Sequence, residues 1–148
     1  MRAAAIRRWK LAGLSFVFLW FLAGGIAHFA ATDTEVRIVP PYVPWPRPVV
    51  LITGALELLG AGALLFRSAR RYAGIGLFVL TLAVTPANIY MLQRPDLFHF
   101  PYWILVARLP LQVALLILIA WSTSTERRHS AGIRVASSLS RKSRRPGR

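Results

Sequence analysis

Residues 11–30 read LAGLSFVFLWFLAGGIAHFA, an apolar run without a formal charge. As a helix rising 1.5 Å per residue, it covers roughly 30 Å, the thickness of a bilayer's hydrocarbon core. Three comparable runs follow. Residues 48–66 carry one carboxylate, Glu57; residues 72–92 carry no charge; residues 102–121 carry one cation, Arg108. Buried helices of soluble proteins are usually shorter, and four recurrences of this length predict an all-α integral membrane four-helix bundle over residues 1–121.

The composition agrees. The chain has 148 residues, 55% of them hydrophobic, with Lys+Arg 19 against Asp+Glu 5 and a net charge of +14. Its mean hydropathy is +0.50. Only 16% of residues are charged, against about 25% in soluble domains. Disorder throughout is excluded, because disordered chains are poor in apolar residues. The complete lack of cysteine excludes disulfides, thiol redox centres, thiolate metal sites and a cysteine nucleophile. Any redox role therefore needs a bound cofactor or a partner.

The basic residues alternate along the chain. Arg2, Arg7, Arg8 and Lys10 precede the first run, whereas Arg37 and Arg47 follow it beside Asp33 and Glu35. Arg67, Arg70 and Arg71 crowd the second connection, and Arg94 stands beside Asp96 in the third. Eight more lie after the fourth run, from Arg127 to Arg148. The positive-inside rule then predicts a multi-pass protein with both termini cytoplasmic. The first run has the basic start of a signal peptide, but its apolar stretch is long for one, and cleavage would put the Arg-rich connection on the wrong side. It is expected to remain as a span.

Residues 122–148 are Ser- and Arg-rich without apolar periodicity, which predicts a disordered cytoplasmic tail. Its expected partners are anionic lipid headgroups rather than nucleic acid, since aromatic interleaving and any nucleic-acid motif are missing. The outer loop, residues 31–47, contains IVPPYVPWP from Ile38 to Pro46. Its prolines exclude helix and predict an extended, stiff cap, with Tyr42 and Trp45 at the interface.

Ionisable groups inside spans are costly and ask for partners. Glu57 falls roughly 14 Å and Arg108 roughly 10 Å below the outer surface by helix rise, so the two could meet as an ion pair inside the bundle. Asn88 lies near the outer end of the third run, after Thr85 and Pro86. Gln112 lies one turn below Arg108, and His28 ends the first run. Pro86 and Pro110 should leave the carbonyls of Leu82 and Val106 without their usual donors. These groups place a polar set, His28, Glu57, Asn88, Arg108 and Gln112, in one outward-facing region. His28 and His99 lack paired ligand spacing, and no metal site is expected. The glycines, Gly24 and Gly25 and Gly54 among them, are read as packing residues.

Five stretches resemble the DoxX family of small bacterial four-span membrane proteins, especially its DoxX-like branch. They are GIAHF (25–29), VPWP (43–46), TGALELLG (53–60), PANIYM (86–91) and RLPLQ (108–112). The family is named for the small subunit of an archaeal thiosulfate:quinone oxidoreductase. The resemblance implies a plasma-membrane protein that serves a redox-linked assembly without catalysing a reaction alone, with quinone as the cofactor to consider. It also implies that His28, Glu57, Asn88, Arg108 and Gln112 are the polar motif residues. Three uses compete. The favoured one is a quinone-like ligand site in the outer half of the bundle, docked by a redox partner protein. The others are a scaffold without ligand and a proton-coupled transporter, presumed oligomeric, that titrates Glu57. An Arg108 pair would argue against the last by holding that carboxylate ionised.

Overall fold

The computed structural model describes residues 2–98 and 100–124; the expected tail beyond Ser124 and His99 lie outside them. Six α-helices run in chain order: α1 (Arg2–Ala30), α2 (Thr32–Ile38), α3 (Pro46–Leu64), α4 (Arg70–Ala83), α5 (Thr85–Gln93) and α6 (Tyr102–Thr123). One 3-10 turn, Pro95–Leu97, joins α5 to α6. There is no strand among the described residues. Four helical stretches are long and apolar enough to cross a membrane: Ala4–Ala30, Pro46–Leu64, Arg70–Gln93 and Tyr102–Thr123. Each lies within a few residues of its sequence-based bounds, apart from the basic first turns of α1, which simply continue the helix.

Helix ends follow local chemistry. Pro46 opens α3 in the first turn, where its missing N–H costs nothing and its fixed φ suits the helix. Thr32 Oγ1 donates to the His28 carbonyl (2.7 Å) and closes the last turn of α1. Arg70 Nε donates to the Leu64 carbonyl (3.1 Å), capping α3 from the start of α4. In the connection after α5, the hydrogen bond from Arg94 holds the Asp96 carboxyl below the usual carboxylate range.

The four long helices form a ring in which α1 touches α3 and α6, while α4 also touches both α3 and α6. Helices α3 and α6 are therefore diagonal. At one end of the ring, where α1 and α4 begin and α3 and α6 end, a dry core forms from Leu14, Val17, Ala61, Leu64, Leu77 and Ile119. At the other end the helices enclose a cavity.

Close contacts use glycine. A Cβ on Gly54 of α3 would lie 2.5 Å from His28 Cβ, and one on Gly25 of α1 would lie 2.7 Å from Leu58 Cγ. Neither obstacle is the far end of a flexible chain, so the backbones of α1 and α3 can meet only without those side chains. Gly74 does the same for α4 against Thr123 of α6.

The outer loop departs from its expected form. Of the stretch expected to be extended, Ile38 ends a helix that begins at Thr32, Val39 is extended, and residues 41–45 are turns and bends. The Val43 N–H donates to the Pro40 carbonyl (3.0 Å), and Pro41 takes the second position of that turn, for which its φ is preset. Trp45 adopts φ 50, ψ 59, a left-handed conformation unusual for a bulky residue, immediately before Pro46.

Gly54→Ala should lower the thermal stability of the detergent-purified protein by about 1–3 kcal/mol through overpacking against His28. Gly62, whose Cβ would meet nothing within 4 Å, should tolerate alanine or gain up to about 1 kcal/mol. Equal melting temperatures for the two variants would contradict the close α1–α3 contact.

Candidate functional site

The cavity has a volume of about 490 Å³, within the usual size range of small-molecule sites. Apolar side chains make most of its wall, among them Trp20 and Phe21 of α1, Val49 and Val50 of α3, and Leu111 and Leu115 of α6. His28, Glu57, Asn88, Arg108 and Gln112 all line it as well. One residue set expected from sequence to share a region thus converges on one space, with every long helical stretch contributing.

Its two polar walls are built differently. On the α5–α6 side the groups form a chain. Arg108 Nε donates to Asn88 Oδ1 (3.0 Å), and Asn88 Nδ2 donates to Gln112 Oε1 (2.6 Å). Gln112 Nε2 then donates to the Thr81 carbonyl (2.9 Å) and to Thr85 Oγ1 (2.6 Å). This answers the expectation about Pro86. The third span breaks at Val84, with Pro86 in the first turn of α5, and a side chain from α6 satisfies a carbonyl in the last turn of α4. The carbonyl so served is that of Thr81 rather than Leu82. At Pro110, by contrast, α6 runs on without a break.

On the α1–α3 side, His28 Nε2 lies 3.7 Å from Glu57 Oε1, within ion-pair range but beyond a hydrogen bond. The buried atoms His28 Nδ1 and Glu57 Oε2 have no hydrogen-bond partner among the described residues. Gly24 makes room for this carboxylate, since a Cβ there would lie 2.7 Å from Glu57 Oε2.

A Glu57–Arg108 ion pair does not form. Depth along a span gives height but not the side of the bundle, and the diagonal placement of α3 and α6 puts the two charges on opposite walls. Glu57 pairs with His28, and Arg108 directs its Nε to Asn88. The argument that Arg108 holds Glu57 ionised therefore no longer applies.

Three contributors were not singled out by sequence. Glu35, read only as an offset to loop arginines, lines the cavity from α2. Thr81 enters through its main chain, which leaves no sequence signal. Gly24 was read as packing alone, although its spacing from His28, one helical turn, was a usable hint. Tyr42 and Pro40 line the cavity and make the outer loop its cover. Trp45 does not line it and is 77% exposed at the start of α3. No group of three or more metal-ligating side chains occurs among the described residues.

Fold and site together define a bundle of four long apolar helical stretches around a cavity with a polar set inside. The chain belongs to the family described as Domain of unknown function (DUF8561), whose model matches residues 17–125. No curated protein and no solved structure matches the chain.

Gln112→Met keeps the size of this side chain and removes its hydrogen bonds. A loss of about 1–3 kcal/mol is expected from stranding the Thr81 carbonyl and the Asn88 amide. Thermal unfolding in detergent checks this, and an unchanged melting temperature would mean that the chain of amides holds nothing together.

Proposed function

We propose that the chain is an integral membrane protein and a DoxX-like, non-catalytic subunit that holds a small amphipathic, quinone-like molecule for a redox partner. The cavity lies in the outer half of the bundle in this reading, and both termini are cytoplasmic. The observation that carries it is the cavity itself: apolar walls, convergent polar groups, and a buried carboxylate and imidazole that the protein leaves without hydrogen bonds. Such groups are normally satisfied, so unpaired ones beside an open space favour a ligand.

Exposed apolar side chains support the membrane reading. Leu19, Leu59, Val79 and Ile117 on the four long stretches are 60%, 69%, 58% and 65% exposed, more apolar surface than a water-soluble bundle tolerates. The basic residues support the orientation. Arg7, Arg8 and Lys10 lie at the start of α1, and Arg67, Arg70 and Arg71 at the α3–α4 connection, which is the same end of the ring. The fully bonded α5–α6 wall fits a preorganised side of the site, with Arg108 offering its remaining donors to a carbonyl oxygen.

The lack of native cysteine makes orientation simple to test. Thr34→Cys should react with a membrane-impermeant maleimide on intact cells, and Ser68→Cys only after permeabilisation; the reverse pattern overturns the topology. For the ligand, the purified protein should retain endogenous quinone or bind decylubiquinone at micromolar concentration. Arg108→Leu should weaken that binding at least about tenfold, the effect of losing one charged hydrogen bond. A protein that neither retains nor binds quinone would sink the ligand reading.

A further inference from the structure

The two polar walls of the cavity differ in what they lack. Glu57 accepts no hydrogen bond from any described residue at either oxygen, and its one close polar neighbour, His28, stands 3.7 Å away. A carboxylate can only accept. His28 Nδ1 accepts in the neutral imidazole and donates in the imidazolium, so the fixed demand of this wall is that of Glu57, whose buried Oε2 calls for a donor. The hydroxyl of Thr53, one turn away, is spent on the Val49 and Val50 carbonyls, and the Trp20 indole and Tyr42 hydroxyl line the cavity without bonding the carboxylate. The nearest glycine, Gly24, has no side chain, and the other acidic group lining the cavity, Glu35, is itself an acceptor when ionised.

The opposite wall has the complementary need. Arg108 uses Nε on Asn88, and its terminal amino groups have no hydrogen-bond partner among the described residues. A guanidinium only donates. Asn88 and Gln112 beside it are occupied with one another and with Thr81 and Thr85. The cavity thus faces the Arg108 donors on α6 across to the Glu57 acceptor on α3.

We infer that the ligand is itself polarised: the end that meets Glu57 carries a hydroxyl donor, and the other end offers an oxygen acceptor to Arg108. For a quinone-like molecule this selects the reduced, hydroxyl-bearing hydroquinone over the oxidised diketone; the inference rests on the cavity being a ligand site. A diketone brings acceptors to both walls and leaves the Glu57 carboxylate unsatisfied, whereas a hydroquinone donates to it and still offers an oxygen to Arg108. The carboxylate torsion of Glu57 is broad, so a small turn presents either oxygen to the cavity. Sites built to hydrogen-bond one group discriminate strongly against analogues lacking it.

The test uses the full-length protein in mild detergent and two probe pairs. Decylubiquinol, kept reduced under anaerobic conditions, is compared with decylubiquinone; 4-nonylphenol is compared with its methyl ether, a pair that needs no redox control. Equilibrium dialysis should show the hydroxyl-bearing member of each pair binding at least about tenfold tighter. In Glu57→Gln the quinol-to-quinone ratio should fall at least about threefold, because the carboxamide offers a donor to a carbonyl. Should that variant not fold, the phenol and its ether on the unaltered protein still decide. Equal binding within both pairs, or tighter binding of the ether or the quinone, overturns the preference and leaves the ligand site standing. Failure of all four probes to bind overturns the ligand site and the preference with it.

Discussion

The approach of α1 to α3 governs the cavity half of the molecule. Because Gly25 and Gly54 lack side chains, the two backbones lie close enough for His28 to occupy the space that a side chain on Gly54 would fill. That contact fixes the height of the imidazole against Glu57, and Gly24 leaves room for the carboxylate itself. Packing of this kind is favoured between apolar helices because small residues admit dispersion contacts that bulky ones prevent. At the core end, Gly74 brings α4 to α6, Gly60 brings α3 to Leu77 of α4, and Gly13 brings α1 to Leu118 of α6. At the cavity end the close glycine contacts are those of α1 with α3, and the space lies between that pair and the α5–α6 wall.

Charge is handled in two distinct ways inside that space. An ionisable group at the centre of a span costs roughly 2.5–3.5 kcal/mol on insertion scales. Arg108 is met by an amide chain that ends on a main-chain carbonyl, so the desolvated group is tied to three helices through side chains that are themselves satisfied. Glu57 is met only by an imidazole at ion-pair distance. A bundle shaped for stability alone would supply a hydroxyl or amide there, as it does on the other side. Local rules of polar satisfaction are kept on one wall and broken on the other, and such breaks concentrate where a protein does something.

Much of this was legible in the sequence, and its failures have physical reasons. Four apolar runs of membrane length define the four long helical stretches and their order. Their depth along the four runs also placed His28, Glu57, Asn88, Arg108 and Gln112 toward a common region. Helix rise gives a residue's height accurately, but the partner of Glu57 depends on which helices are neighbours in the ring, and that is set by glycine contacts between distant residues. Helix α2 was illegible for another reason. Seven residues carrying Asp33, Glu35 and Arg37 have no apolar stripe, and so short a helix depends on packing against its neighbours rather than on propensity. The prolines after it excluded a helix, but the turn closed by Pro40 and Val43 depends on a main-chain hydrogen bond that residue types do not announce.

The break at Val84 divides the third span into two levers. Helix α4 is bound into the dry core through Leu77, whereas α5 packs mainly on α6 and carries Asn88, the residue that orients the Arg108 guanidinium. Gln112 reaches both sides of the break, holding Thr81 before it and Thr85 after it. The joint is therefore fastened from outside by a neighbouring helix as well as by its own main chain, where Val84 donates to Leu80 and accepts from Asn88. The position of the guanidinium is thus set by α5 as much as by the helix that carries it, since Asn88 holds Arg108 while Gln112 ties that contact back to Thr81 of α4.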